Sequence, residues 1–245
     1  VELFGFPVLT GGNSTVLEHL WQRSLQGSVT HVVTLNPEMV MLARARPAVR
    51  SALERGDVFV ADGVGLEWAA MVLRRRGIRR YPGIDLVFDL TERLAERGGS
   101  VYLLGSRPGV AEAAGEKLRA QLPGLRIAGT GDGYFTEMDE EAVVGRIAAS
   151  GAGMLLVGMG CPRQEEFLAR NRERLRVPLL IGVGGALEVF AGHKLRAPEW
   201  VRHSGIEWAF RTTQDISRLK RLGVLPRFIL MVLNMAWQGP RDSAA

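Results

Sequence analysis

The stretch "VADGVG" sets one carboxylate, Asp62, between an apolar run and two glycines. The preceding "DVFV" reads as a buried strand and "LEWAAMVLRR" as a helix, so Asp62 falls where a strand gives way to a helix. A carboxylate there has two readings. It can cap the helix over 63–76, or it can take a proton from a substrate hydroxyl. Similar groups follow other apolar runs: Thr34 and Asn36 in "TLNPE", Gly105 and Ser106 in "GSRPG", and Gly131 and Tyr134 in "GTGDGYF". Gly158 and Gln164 stand in "GMGCPRQEE", and Gly184, Gly185 and Glu188 in "GVGGALE". Turn and cap chemistry explains any one of these loops; six of them together point to a site.

Missing motifs narrow the chemistry. No G-x-G-x-x-G follows the first strand, and neither a G-x-x-x-x-G-K-[ST] phosphate loop nor a G-x-S-x-G elbow occurs. His19, His31, His193 and His203 lack metal-ligand spacing. No Asp-x-Asp pair exists to bridge a divalent ion to phosphates, so arginines and backbone N–H groups must neutralise any diphosphate. No metal or other cofactor is therefore expected. Glycine loops, one carboxylate at a strand end, and arginines suit transfer from a phosphate-activated donor. The carboxylate would deprotonate the attacking hydroxyl while positive groups steady the departing diphosphate. Cys161, with no histidine beside it, reads as a half-buried thiol rather than a nucleophile. Tyr134 and Phe135 have an ordinary reading as core aromatics.

The elements that must hold these groups alternate regularly. Strands are expected over 30–35, 57–60, 101–104, 125–129, 154–158 and 177–183. Helices are expected over 37–55, 63–76, 84–97, 108–121, 138–149 and 162–174. The strands are apolar on both faces, as in a parallel sheet covered by helices. The expected fold is therefore α/β, a Rossmann-like doubly wound, mostly parallel sheet. In such sheets ligands bind outside the carboxyl ends of the strands, which is where the polar loops fall. The 245 residues, 47% of them hydrophobic, support an ample core. A single cysteine excludes an internal disulfide framework and fits a reducing compartment. No secretion leader is read at the N-terminus.

Charge divides the chain. Residues 193–245 carry nine of the 31 Lys/Arg and four of the 26 Asp/Glu, so the whole net charge of +5 falls there. The division expected is a catalytic α/β body over 1–192 and a basic helical appendage over 193–245, the body being the part that the resemblance given below makes nucleotide-sugar-binding. Within it, Ile206 to about Leu222 has helical periodicity, with Arg211, Arg218 and Arg221 one or two turns apart. A row of guanidiniums suits a diphosphate. Beyond Pro226, "RFILMVLNMAW" is too short to span a bilayer. It reads either as a buried C-terminal helix or as one lying on an anionic membrane surface. Because its arginines interleave with apolar residues, not exposed aromatics, no nucleic-acid partner is expected. A partner subunit could also cover an exposed apolar tail, so a homo-oligomer stays open.

Taken in order, "VVTLNPEMV", "ADGVG", "RRYPGIDL", "LLGSRPG", "GTGDGYF", "GMGCPRQEEF", "GVGGALE", "AGHKLRAPEWV" and "GIEWAFR" closely resemble the WecG/TagA/CpsF glycosyltransferases. The likeness runs from about residue 2 to about residue 230. It implies an inverting, metal-independent transfer of N-acetylmannosamine or a related sugar from a UDP-sugar to a polyprenyl-diphosphate-linked acceptor. Such steps build teichoic-acid linkage units and other bacterial surface polysaccharides, at the inner face of the plasma membrane. Carried over by position, the resemblance makes Asp62 the base, with Thr34, Asn36 and Gln164 orienting the sugars. Arg80 and Asp85 belong to the "R-x-x-G-x-D" element. Gly105, Ser106, Gly131, Tyr134, Gly158, Gly184, Gly185 and Glu188 would surround the nucleotide, and Arg211, Arg218 and Arg221 the diphosphate. Two departures stand out: Leu187–Glu188 replaces a more usual Phe-Asp, and Arg79 stands where an acid is common. A non-catalytic UDP-sugar-binding module docking on membranes is the alternative from another class.

Overall fold

The computed structural model describes residues 1–198, 201, 210 and 223–238. Its centre is a six-stranded sheet of β3 (Thr30–Leu35), β4 (Val58–Ala61), β5 (Ser100–Gly105), β6 (Arg126–Gly131), β7 (Met154–Gly158) and β8 (Leu179–Gly182). The spatial order is β4-β3-β8-β7-β5-β6, and every pairing is parallel. All six expected strands are present. The chain runs outward from β3 to β4, crosses to β5 and β6, then returns through β7 and β8 to lie against β3.

Strand periodicity explains the two covered faces. Val32, Val58, Val60, Val101, Leu103, Leu156 and Ile181 point into one cluster. It is shared with α1 (Asn13–Leu25), α5 (Gly83–Ala95), α6 (Val110–Gln121) and the short α9 (Ala186–Phe190). Their neighbours Val33, Leu35, Phe59 and Ala61 point the other way, into a cluster with α2 (Pro37–Ala45), α3 (Pro47–Glu54) and α4 (Val64–Val72). Tyr102, Leu104, Leu155, Val157 and Leu180 share that second face with α7 (Glu137–Ala149) and α8 (Arg163–Leu175). The sheet is thus doubly wound, as its uninterrupted apolar strands require.

Several expectations need correction. The helix expected over 37–55 is two helices broken at Arg46 (φ −135°, ψ 106°), because Pro47 disfavours helical backbone in the residue before it. The helix expected over 63–76 stops at Val72. Arg74 turns left-handed (φ 55°) and the Arg75 N–H reaches back to the Ala70 carbonyl, closing the helix in a Schellman-type turn. β6 is an edge strand with no fully buried residue, so its apolar reading overstated its burial. Before Thr30, where no element was expected, a small hairpin of β1 (Glu2–Leu3) and β2 (Phe6–Pro7) precedes α1. The hairpin covers the β4 edge: Leu9 N–H donates to the Phe59 carbonyl at 2.8 Å, and the Phe6 and Phe59 rings stack at 5.2 Å.

The apolar run of the appendage forms α10 (Val224–Trp237). Phe228 and Val232 are fully buried against α2 and α4, and the Phe4 ring meets Phe228 edge-on at 5.5 Å. On its other side Leu230, Leu233 and Trp237 are exposed. The buried-helix reading therefore holds for one face, and the other face is exposed. Among the described residues no helix is long and apolar enough to cross a membrane.

Candidate active site

A cavity of about 540 Å³ opens at the carboxyl ends of the strands. All six strand ends reach it: Thr34 in the end of β3 with Asn36 after it, Asp62 after β4, Ser106 after β5, Tyr134 after β6, Gly158 in the end of β7 with Gln164 after it, and Gly184, Gly185 and Glu188 after β8. The parallel sheet produces this convergence, since every strand delivers its following turn to the same rim.

Asp62 extends the β3–β4 ladder by one bond, its N–H donating to the Leu35 carbonyl at 2.7 Å. Leu35 pairs with Ala61, so the next residues along, Asn36 and Asp62, stand at the same level of the rim. Capping of the adjacent helix is not what the Asp62 side chain does. Gly63 is the N-cap of α4 and no side chain caps it. Instead Asp62 Oδ1 accepts the Gly83 N–H at 3.1 Å, from the first turn of α5. The Tyr81 N–H, bonded to the Ala61 carbonyl at 2.8 Å, brings that turn alongside. A Cβ at Gly83 would crowd Thr34 (3.3 Å) and touch Asp62 Oδ2 at ordinary contact distance (3.5 Å), so Thr34, Asp62 and Gly83 form one wall. Thr34 Oγ1 donates to the Gly182 carbonyl at 3.2 Å, tying β3 to β8 across the cavity floor. Asn36 does act as a cap: its Oδ1 accepts the Met39 N–H at 3.0 Å, which spends that oxygen on α2.

The glycine turns let backbone segments approach one another closely. A Cβ on Gly105 (φ 129°) would lie 2.5 Å from the Gly158 carbonyl carbon and oxygen. One residue on, Ser106 holds a left-handed conformation (φ 61°) without being glycine, while its N–H donates to the Gly158 carbonyl at 2.8 Å. A conformation of that kind, held beside a cavity, is a recurrent mark of functional sites. Tyr134 is 71% exposed at the cavity mouth, which corrects its reading as a core aromatic. Phe135 keeps that reading, packed edge-on against Phe167 at 5.7 Å.

Gln164 lines the cavity but is nearly fully buried. Its Oε1 accepts two N–H groups, Gly160 and Gly184, both at 3.0 Å, and its Nε2 donates to Glu165 Oε1 at 2.7 Å. Burial pushes the Glu165 carboxyl up to about 7, although bonds from Gln164 and the Cys161 thiol offset part of that rise. Cys161, half-buried, also lines the cavity.

Charge in the cavity comes partly from residues that the sequence reading passed over. Arg107, Arg163 and Lys194 line it, with Glu38, Asp62 and Glu188 as the acids. Arg163 is aimed by its bond to the Phe135 carbonyl (2.8 Å) and by stacking over the Phe135 ring. Lys194 pairs with Glu188. Arg107 and Arg163 both sit inside quoted motifs, "GSRPG" and "GCPRQ", but the sequence alone does not give the direction of a side chain at a loop or first helical turn. Among the described residues no group of three or more His, Cys, Asp or Glu could hold a metal ion.

Three expected site residues are not on the cavity wall. Gly105 and Gly131 lie behind it, within the ends of β5 and β6. Arg80 lines a separate shallow cavity with Thr10, Asn13, Glu67 and Arg79, and stands 3.9 Å from the Glu67 carboxylate. Asp85 pairs with Arg196. Arg211, Arg218 and Arg221, with the helix expected over 206–222, lie outside the described residues.

Residues 1–242 match the model of the "Glycosyl transferase WecG/TagA/CpsF family". The chain is also 35% identical, over 201 residues, to the N-acetylglucosaminyldiphosphoundecaprenol N-acetyl-beta-D-mannosaminyltransferase of Staphylococcus aureus (strain MW2). That alignment spans 82% of this chain and 78% of the relative.

Proposed function

The chain belongs to the WecG/TagA/CpsF glycosyltransferase family, and we propose on that premise that it moves N-acetylmannosamine or a closely related sugar from a UDP-sugar to a polyprenyl-diphosphate-linked N-acetylglucosamine. The observation that carries the reading is Asp62. It is a carboxylate at a strand end on the wall of the cavity, oriented by the Gly83 N–H, with Thr34 and Asn36 beside it and arginines on the same lining. In the proposed reaction Asp62 takes the proton of the acceptor hydroxyl as that oxygen attacks the anomeric carbon. Attack from the face opposite the diphosphate inverts the configuration and breaks the bond to the departing UDP. Arg107, Arg163 and Lys194, with Arg211, Arg218 and Arg221 from the tail, supply the positive charge that the leaving group needs. The sequence holds no Asp-x-Asp pair, so these side chains take the part a divalent ion plays elsewhere. Ser106, Tyr134, Gly158, Gly184, Gly185 and Glu188 are the proposed nucleotide contacts, and Tyr134 offers an exposed ring for a base to stack on.

The proposed place of work is the anionic inner face of the plasma membrane. The exposed stripe of α10, together with the basic tail, suits a helix lying at headgroup level. A lipid-linked acceptor presents its diphosphate at that level, so it need not leave the bilayer.

A UDP-release assay tests the reading, run across donor sugars with a short-chain polyprenyl-diphosphate N-acetylglucosamine acceptor and with a chelator present. Acceptor-dependent UDP release is the expected result. Release that ignores the acceptor, or none with any donor, would overturn it.

A further inference from the structure

Behind the cavity wall sits a carboxyl group that the proposed reaction does not use. Glu165 is only 2% exposed, and its Oε2 is buried without a hydrogen-bond partner among the described residues. A buried acid with one oxygen unpaired costs stability, so an apolar residue would pack there at less expense. Besides the bond from the Cys161 thiol, Glu165 makes one specific contact. Its Oε1 accepts the Gln164 Nε2 at 2.7 Å, and Gln164 then turns its own oxygen to the Gly160 and Gly184 N–H groups.

An amide can flip end for end, and only one orientation serves here. With the NH2 where the oxygen stands, two backbone donors would face a third donor. The acceptor on Glu165 and the donors on Gly160 and Gly184 therefore fix Gln164 from opposite ends. The two glycines belong to different loops, one after β7 and one after β8, and both line the cavity. The pair also presses on a third segment. A Cβ on Gly182 would meet Gln164 Nε2 at 2.5 Å and Glu165 Oε1 at 3.0 Å, and the Gly182 carbonyl is the one that accepts the Thr34 hydroxyl.

We propose that Glu165 is a positioning residue for donor binding: acting through Gln164, it sets the spacing of the Gly160 and Gly184 loops that receive the nucleotide. The role needs an acceptor oxygen at that point and does not need a charge. That the acid stays half protonated near neutral pH fits such a role. The proposal rests on the UDP-sugar reading for its consequence, but the geometry it asserts can be measured without any ligand.

The experiment compares E165Q, which keeps the acceptor oxygen, with E165L, which matches the volume without it. E165D, which draws the oxygen back by one methylene, replaces E165L if that variant does not fold. Two readouts are taken on each folded variant: UDP affinity by titration calorimetry, and hydrogen exchange of the Gly160 and Gly184 amides by NMR. E165Q should bind UDP within about threefold of the parent chain. E165L should lose at least about tenfold, with both glycine amides exchanging at least about tenfold faster. Adding E165L to Q164M should cost nothing beyond Q164M alone, because the two act as one unit. Parent-like exchange and affinity in E165L, equal damage from E165Q, or additivity with Q164M would each overturn the proposal. If the parent chain does not bind UDP, the donor reading falls, and the amide exchange rates still decide whether Glu165 holds the loops.

Discussion

At the scale of single residues, the site divides into groups that face the cavity and groups that hold them. Asp62 belongs to the first kind. Replacing it with Asn keeps the shape and the bond from Gly83 but removes the basic oxygen, so turnover should fall by about 10²–10⁴-fold while UDP affinity changes little. Steady-state rates and UDP titration on the same preparation check both halves. Glu165 is of the second kind, and its burial has a pH signature. Its carboxyl titrates near 7 in the folded chain against the usual 4.5, so the folded state binds the extra proton between those values. The associated stability is complete below pH 4.5 and is lost as pH rises through about 7, a swing of about 3 kcal/mol at most. His31 runs the other way. Burial lowers it to about 4, so its contribution is intact above pH 6.5 and is lost as pH falls towards 4. Comparing E165Q with the parent chain cancels the His31 part. The Tm difference should shift in favour of E165Q between pH 5 and pH 8, and thermal melts across that range measure it. Asn36 and Asp62 were legible as candidates because a polar residue directly after a strand end is a local pattern, and Thr34 and Gln164 because each stands in a short polar motif at such an end. The bonds of Gln164 were not, since Gly184 is twenty residues away along the chain and only the sheet brings it near.

At the scale of elements, the sequence specified the parallel sheet through its unbroken apolar runs, and the breaks came from residues with local rules of their own. Pro47 divides one helix in two, and the left-handed Arg74 ends another where amphipathic spacing alone would have continued. Long-range fit was hidden. Gly105 read as a glycine of the nucleotide loops, whereas the structure shows the backbone of β7 passing where its Cβ would be. Gly105→Ala should therefore force β5 and β7 apart at the cavity rim. It also places a side chain at φ 129°, for a combined cost of about 1–3 kcal/mol. At about 2–4 °C per kcal/mol for a chain of this size, thermal melts resolve it. An unchanged Tm would mean that the strand ends yield more easily than their pairing implies. Burial of the aromatics was equally illegible. Tyr134 and Phe135 are adjacent and chemically alike, yet one ring is exposed at the cavity mouth and the other packs on Phe167.

For the whole molecule, the proposed lipid-held substrate must be met by a body with balanced charge and a basic tail. α10 joins the two, because its opposite faces have different tasks. Phe228 and Val232 fasten it to α2 and α4, while Leu230, Leu233 and Trp237 form a stripe on the far side. Phe228→Ala should thus cost stability, about 3–5 kcal/mol. Changing Leu230, Leu233 and Trp237 together to serine should lower Tm far less than Phe228→Ala does, since Trp237 and Leu230 are mostly exposed and Leu233 is 48% exposed in the folded chain. That triple variant should instead weaken binding to anionic vesicles by about 100-fold or more, each side chain supplying up to about 1.5–3 kcal/mol on entering the bilayer. Salt separates this apolar contribution from the charge on residues 193–245. Attraction between tail cations and lipid is screened within about 8 Å at physiological ionic strength. Raising salt should therefore lower the affinity of the parent chain only to a plateau set by the stripe. For the triple variant the same salt should abolish binding, because charge is all that remains to hold it. Sedimentation with vesicles of graded anionic content, at low and high salt, reads all of these terms. Equal vesicle binding by the parent chain and the triple variant at high salt would show that the stripe does not meet lipid, and that another surface of this chain, or a second copy, covers it.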